Sequence, residues 1–91
     1  MPSYLITYDL TKPNRNYSAL YDAIKGLSGT WAHVTESSWV VVGTNLTSIT
    51  IRDTLAASID NNDEIFIAKL SGEAAWRGLS TDQTEWLKKH I

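Results

Sequence analysis

The chain has 91 residues, a formal net charge of −2, 43% hydrophobic and 10% aromatic residues, and no cysteine. That length allows one domain and excludes two, and the composition is that of a globular chain rather than a disordered one. Disulfides and thiolate zinc sites are excluded, and the acidic balance counts against nucleic-acid binding by bulk charge, so any such contact needs a local cationic patch.

The residues Tyr4 to Asp9, YLITYD, predict a first strand. The segment Thr11-Lys12-Pro13-Asn14-Arg15-Asn16 reads as a loop, with Asn16 as an N-cap. Tyr17, Leu20, Tyr21, Ile24 and Leu27 then recur at helical spacing, and Gly26 and Gly29 mark the end of that helix. Thr30–Glu36 and Trp39–Val42, separated by Ser37-Ser38, predict a hairpin. The run Val40-Val41-Val42 predicts a strand buried on both faces.

Thr47 is the N-cap of a second helix, with Leu46 and Ile51 at hydrophobic-staple spacing and Ile51, Leu55 and Ile59 forming its stripe. Asp60-Asn61-Asn62-Asp63 is a turn, and Glu64 to Leu70, EIFIAKL, is the fourth strand. Ser80-Thr81-Asp82-Gln83 has capping-box spacing before a short helix with Trp86 and Leu87. The order strand, helix, strand, strand, helix, strand predicts an α+β, ferredoxin-like βαββαβ sandwich with a short C-terminal extension. Residues 1–79 are expected to form the domain, and 80–91 a helix packed on it.

Two helices cover one face of such a sheet. Tyr4, Ile6 and Tyr8 make the more continuous apolar set and are expected to meet them, leaving Leu5, Thr7 and Asp9 on the open face. A small domain has a thin core, so a second copy around a two-fold axis is the expected cover. Trp76 or Trp86 from the tail is the alternative within one chain. No apolar run approaches the ~18 residues of a membrane span. Met1-Pro2-Ser3-Tyr4 lacks a basic region followed by an apolar stretch, so no signal peptide and a cytoplasmic location are expected.

Asp9 ends the first strand immediately before the loop, where a carboxylate can bind Mg²⁺ or Mn²⁺. One carboxylate makes a weak site, and two copies of Asp9 near a dimer axis would strengthen it. The competing reading is an Asx turn. Lys12 and Arg15, with Tyr17 close by, supply groups that can hold phosphate; a solvated basic loop is the competing reading. His33 alternates with Trp31 in the second strand and is either a general acid or base or a structural histidine. His90, beside Lys88 and Lys89, reads as a solvated helix end. No P-loop, dinucleotide fingerprint or hydrolase triad is present.

The segments YLITYDL, TKPNRN, YSALYDAIK and SGTWAHVTESSWVV resemble small bacterial proteins described as SinR-like. These are in turn similar to the CRISPR-associated adaptation endoribonuclease superfamily, which includes VapD-type toxin ribonucleases. The resemblance implies a ferredoxin-like fold, a homodimer and a metal ligand at the strand-end aspartate, matched here by Asp9. It points to a metal-dependent, endoribonuclease-like homodimer, with RNA, or else DNA, as the nucleic-acid partner. The alternative is a non-catalytic dimeric module that binds nucleic acid or a protein partner.

Overall fold

The computed structural model describes residues 1–11 and 17–91. Strand β1 (Ser3–Asp9) is followed by helix α1 (Ser18–Gly26), the hairpin β2 (Trp31–Thr35) and β3 (Ser38–Val42), helix α2 (Ser48–Ala56), strand β4 (Glu64–Lys69) and helix α3 (Thr81–His90). The four strands form one antiparallel sheet in the order β2-β3-β1-β4. This is the expected ferredoxin-like arrangement with an added C-terminal helix.

Alternation along the strands assigns the faces. Tyr4, Ile6 and Tyr8 of β1 lie level with Val41, Trp39, Ile67 and Ile65, and they share the core with Leu20, Ile24, Ile51 and Leu55 of the two helices. The apolar set Tyr4, Ile6 and Tyr8 thus meets the helices, as expected. Ile6, Leu20, Ile24, Ile51, Leu55 and Val41 are fully buried. Tyr4 also donates its hydroxyl to the Leu46 carbonyl at 2.7 Å, which satisfies a polar group at the edge of this core.

Helix α2 starts where Thr47 predicts, in a capping box: the Thr47 side chain accepts from the Thr50 N–H, and Thr50 answers the Thr47 N–H. Helix α1 differs from expectation. Its N-cap is Tyr17, with no side-chain cap bond, and the expected cap Asn16 lies outside the described residues. The hairpin turn falls on Glu36-Ser37 rather than Ser37-Ser38, because Ser38 already pairs with Thr7.

The other face of the sheet has two halves. Ala32, Val40 and Val42 point to it and are buried, as is Leu87 of α3, which packs against β2. This half is covered within one chain, by the C-terminal helix rather than by a second copy. Ser80 caps α3 by accepting from the Gln83 N–H, and Trp76 donates to Thr84 at 3.1 Å. Gln83 donates to the His33 carbonyl at 2.7 Å. Thr30 and Val42 are hydrogen-bonded opposite each other, so ladder alternation turns the His33 carbonyl outward from the sheet edge. Gln83 therefore blocks the β2 edge. Gln83→Ala is expected to cost about 1 kcal/mol, read by urea denaturation, with faster amide exchange in α3. The second half of the face, over β1 and β4, carries Thr7 and Phe66, and Phe66 is 64% exposed.

Among the described residues no helix is long and apolar enough to cross a membrane.

Candidate functional site

Asp9 is the last residue of β1 and is exposed, on the face opposite the two core helices. The β1–β4 register places Glu64 directly across from it. Leu70 donates its N–H to the Ser3 carbonyl, so alternation makes Asp9 and Glu64 the last hydrogen-bonded pair of this ladder. Directly opposed residues carry Cβ atoms about 4.5–5.5 Å apart, on one face. Backbone pairing thus sets two exposed acidic residues side by side at their Cβ atoms. Neither carboxylate receives a hydrogen bond or an ion pair from the described residues. Glu64 was not legible as a partner of Asp9: each reads alone as a strand terminus, and only their pairing brings them together.

Like charges directly opposite on a sheet repel. A hard cation between them would remove that cost, and Mg²⁺ is commonly held by one or two carboxylates while water and substrate phosphate fill the other positions. The donor set therefore fits Mg²⁺ or Mn²⁺. Among the described residues no group of three or more His, Cys, Asp or Glu is placed to hold a metal ion. A cation at Asp9 and Glu64 would thus depend on water and phosphate for its remaining ligands.

A third carboxylate lies behind this pair and does different work. Asp63 is buried, and its carboxylate accepts from the Thr11 N–H at 2.9 Å, the Thr11 hydroxyl at 3.0 Å, the Tyr17 hydroxyl at 3.2 Å and the Asp60 N–H at 2.9 Å. These donors, led by the Thr11 N–H, hold its carboxyl at a pKa of about 2, below the ordinary 3.8. Asp63 thus joins Thr11 and Tyr17, the described residues on either side of 12–16. The sequence marks Asp63 only as a turn residue.

Lys12 and Arg15 lie outside the described residues. Tyr17 is 7% exposed, with its hydroxyl on Asp63. Its ring belongs to the core and offers no surface to a nucleic-acid strand.

His33 sits opposite Trp39, which is level with Ile6, so it lies on the helix side of the sheet and Asp9 on the other. Its ring stacks on the Trp39 indole at 3.9 Å with an 11° tilt. Its Nε2 is 3.1 Å from the Glu36 carbonyl, which can only accept, so Nε2 carries the proton. The same carbonyl accepts from the Tyr8 hydroxyl, and that hydroxyl accepts from the Trp39 indole N–H at 3.0 Å. Burial pushes the Tyr8 phenol up, opposed by the Trp39 hydrogen bond. This network fastens the β2–β3 turn to β1. It does not bring His33 to Asp9.

No family model matches the chain.

Proposed function

We propose that this chain is a cytoplasmic, homodimeric, endoribonuclease-like protein that requires Mg²⁺ or Mn²⁺, held in each subunit by Asp9 and Glu64. The observation that carries this reading is the direct opposition of two exposed acidic residues at the end of the β1–β4 ladder, neither bonded by a side chain among the described residues. It replaces the sharing of one cation between two copies of Asp9, because a single chain already holds two carboxylates. When bound, the cation supplies charge neutralisation at a phosphate and a more acidic water. Asp9 and Glu64 orient it through their fixed backbones. Lys12 and Arg15, which follow Asp9 in sequence, take phosphate oxygens on the substrate strand.

Thermal denaturation and RNA cleavage, each with and without Mn²⁺, test the reading. Wild type is expected to gain stability with Mn²⁺ and to cleave only in its presence. Asp9→Asn and Glu64→Gln each lose the Mn²⁺-dependent stabilisation, and Asp9→Asn lowers cleavage at least 100-fold. Without metal, Asp9→Asn is expected to be more stable than wild type by up to about 1 kcal/mol, since the opposed charges no longer repel. Undiminished Mn²⁺-dependent cleavage by Asp9→Asn would sink the assignment.

One observation favours a second reading, a non-catalytic dimeric module that binds nucleic acid or protein. His33, the acid–base candidate, lies across the sheet from Asp9 with Nε2 bonded to Glu36. This reading predicts RNA or protein binding without turnover in any divalent metal.

A further inference from the structure

The two edges of the sheet are treated differently. At β2 the edge is short, carries an irregular register between His33 and Thr35, and is blocked by Gln83. At β4 the edge is regular for six residues, and no hydrogen bond from the described residues reaches its outward side. Glu64, Phe66, Ala68 and Leu70 lie opposite the β1 residues whose ladder bonds go to β4, so Ile65, Ile67 and Lys69 turn their N–H and C=O groups outward. Beside this edge Phe66 is 64% and Ile49 60% exposed, and both line one groove with Ile65 and Ile67. An open, regular edge flanked by exposed apolar side chains is a template for another strand.

We propose that the occupant is β4 of a second copy, paired antiparallel about a two-fold axis at Phe66, so that two sheets become one of eight strands. The residues of β4 are complementary to themselves in this register. Phe66 meets its own copy as a non-hydrogen-bonded pair on one face, where side chains approach most closely. Ile65 meets the partner copy of Ile67, and Ile67 the partner copy of Ile65, as hydrogen-bonded pairs on the other face. Lys69 then falls opposite Asp63 of the partner strand, whose buried carboxylate is already taken up by Thr11, Tyr17 and Asp60, so the apolar pairs set this register. Shifting the axis one residue to Ile67 sets Ile65 against Lys69 and loses the aromatic pair.

The inference takes the homodimer of the proposed function and locates its interface. It also keeps the two carboxylate pairs apart. The Glu64 copies are four residue steps apart along the strands and the Asp9 copies lie three strand spacings apart, which separates the Asp9 copies by on the order of 20 Å. Each subunit then holds its own cation.

The chain has no cysteine, so single cysteines report the register cleanly. Non-hydrogen-bonded antiparallel pairs have Cα atoms about 4.5 Å apart, within disulfide range. Sedimentation of wild type is expected to show a dimer, and Phe66→Cys to form a disulfide-linked dimer on mild oxidation while Ala68→Cys does not. Phe66→Glu, at an exposed position, should raise the dimer dissociation constant at least tenfold with an unchanged circular dichroism spectrum. A wild-type monomer, a dimer indifferent to Phe66→Glu, or faster cross-linking through Ala68→Cys would overturn the proposal. Mn²⁺-dependent cleavage measured in parallel separates the two readings. A monomer that cleaves removes the interface alone, and a Phe66-linked dimer that never cleaves removes the nuclease alone.

Discussion

Trp39→Ala is expected to cost about 3–5 kcal/mol, a large share of the roughly 5–15 kcal/mol that holds a domain of this size together. Trp39 is 1% exposed on an inner strand. Its indole lies 5.4 Å from Trp31, 5.9 Å from Tyr21 and 3.9 Å from His33, measured between ring centroids. Truncation removes more apolar volume than the neighbours can refill, so a cavity adds to the lost transfer energy. It also removes the N–H donated to the Tyr8 hydroxyl, and with it one support of the bond from Tyr8 to the β2–β3 turn. Urea denaturation followed by far-ultraviolet circular dichroism is the suitable measurement, because the remaining three tryptophans confuse a fluorescence readout. Trp39→Phe keeps most of the volume and loses the donor, and is expected to cost about 1–2 kcal/mol. If Trp39→Ala melts like wild type, the aromatic cluster contributes far less to this core than its burial implies.

The second large effect is centred on Asp63. Asp63→Ala leaves the Thr11 N–H, the Thr11 hydroxyl, the Tyr17 hydroxyl and the Asp60 N–H without their acceptor. Thr11 and Tyr17, on either side of the stretch that carries Lys12 and Arg15, lose their common acceptor in one step. The expected result is weaker RNA binding with the Asp9–Glu64 pair still in place, so that stabilisation by Mn²⁺ survives. The pH dependence has a definite sign. The folded carboxyl titrates at about 2 against an ordinary 3.8, so its contribution to stability is fully present above pH 4. That contribution is lost as the pH falls through the range from 4 to 2, where the unfolded carboxyl binds a proton before the folded one does. Asp63→Asn removes the titration, and a denaturation midpoint plotted against pH should be flatter across that window than for wild type. Equal slopes for the two proteins would show that other carboxylates dominate the acid limb.

The elements and their faces were legible because their signals are local. Helical spacing from Tyr17 to Leu27 and the Thr47 cap need only a few neighbouring residues to act. The alternation of Tyr4, Ile6 and Tyr8 against Leu5, Thr7 and Asp9 follows from the pleat, and the apolar set turned to the helices as its continuity implies. Asp9 could be placed at a strand end on the open face for the same reason. His33 could be placed in a strand, but not on the face away from Asp9.

Strand, helix and turn are written into short stretches of this chain, and so is the open-face position of Asp9. The folded molecule alone decided which residues stand beside them. Glu64 became the neighbour of Asp9 through a pairing between the first and fourth strands, and Asp63 became the anchor of Thr11 and Tyr17 through the turn that precedes it. Leu87 covered half of a face that could as well have waited for a second copy, and Gln83 closed the β2 edge. Periodicity and capping act over one or two turns of chain, whereas register and cover depend on how distant segments share a limited apolar surface.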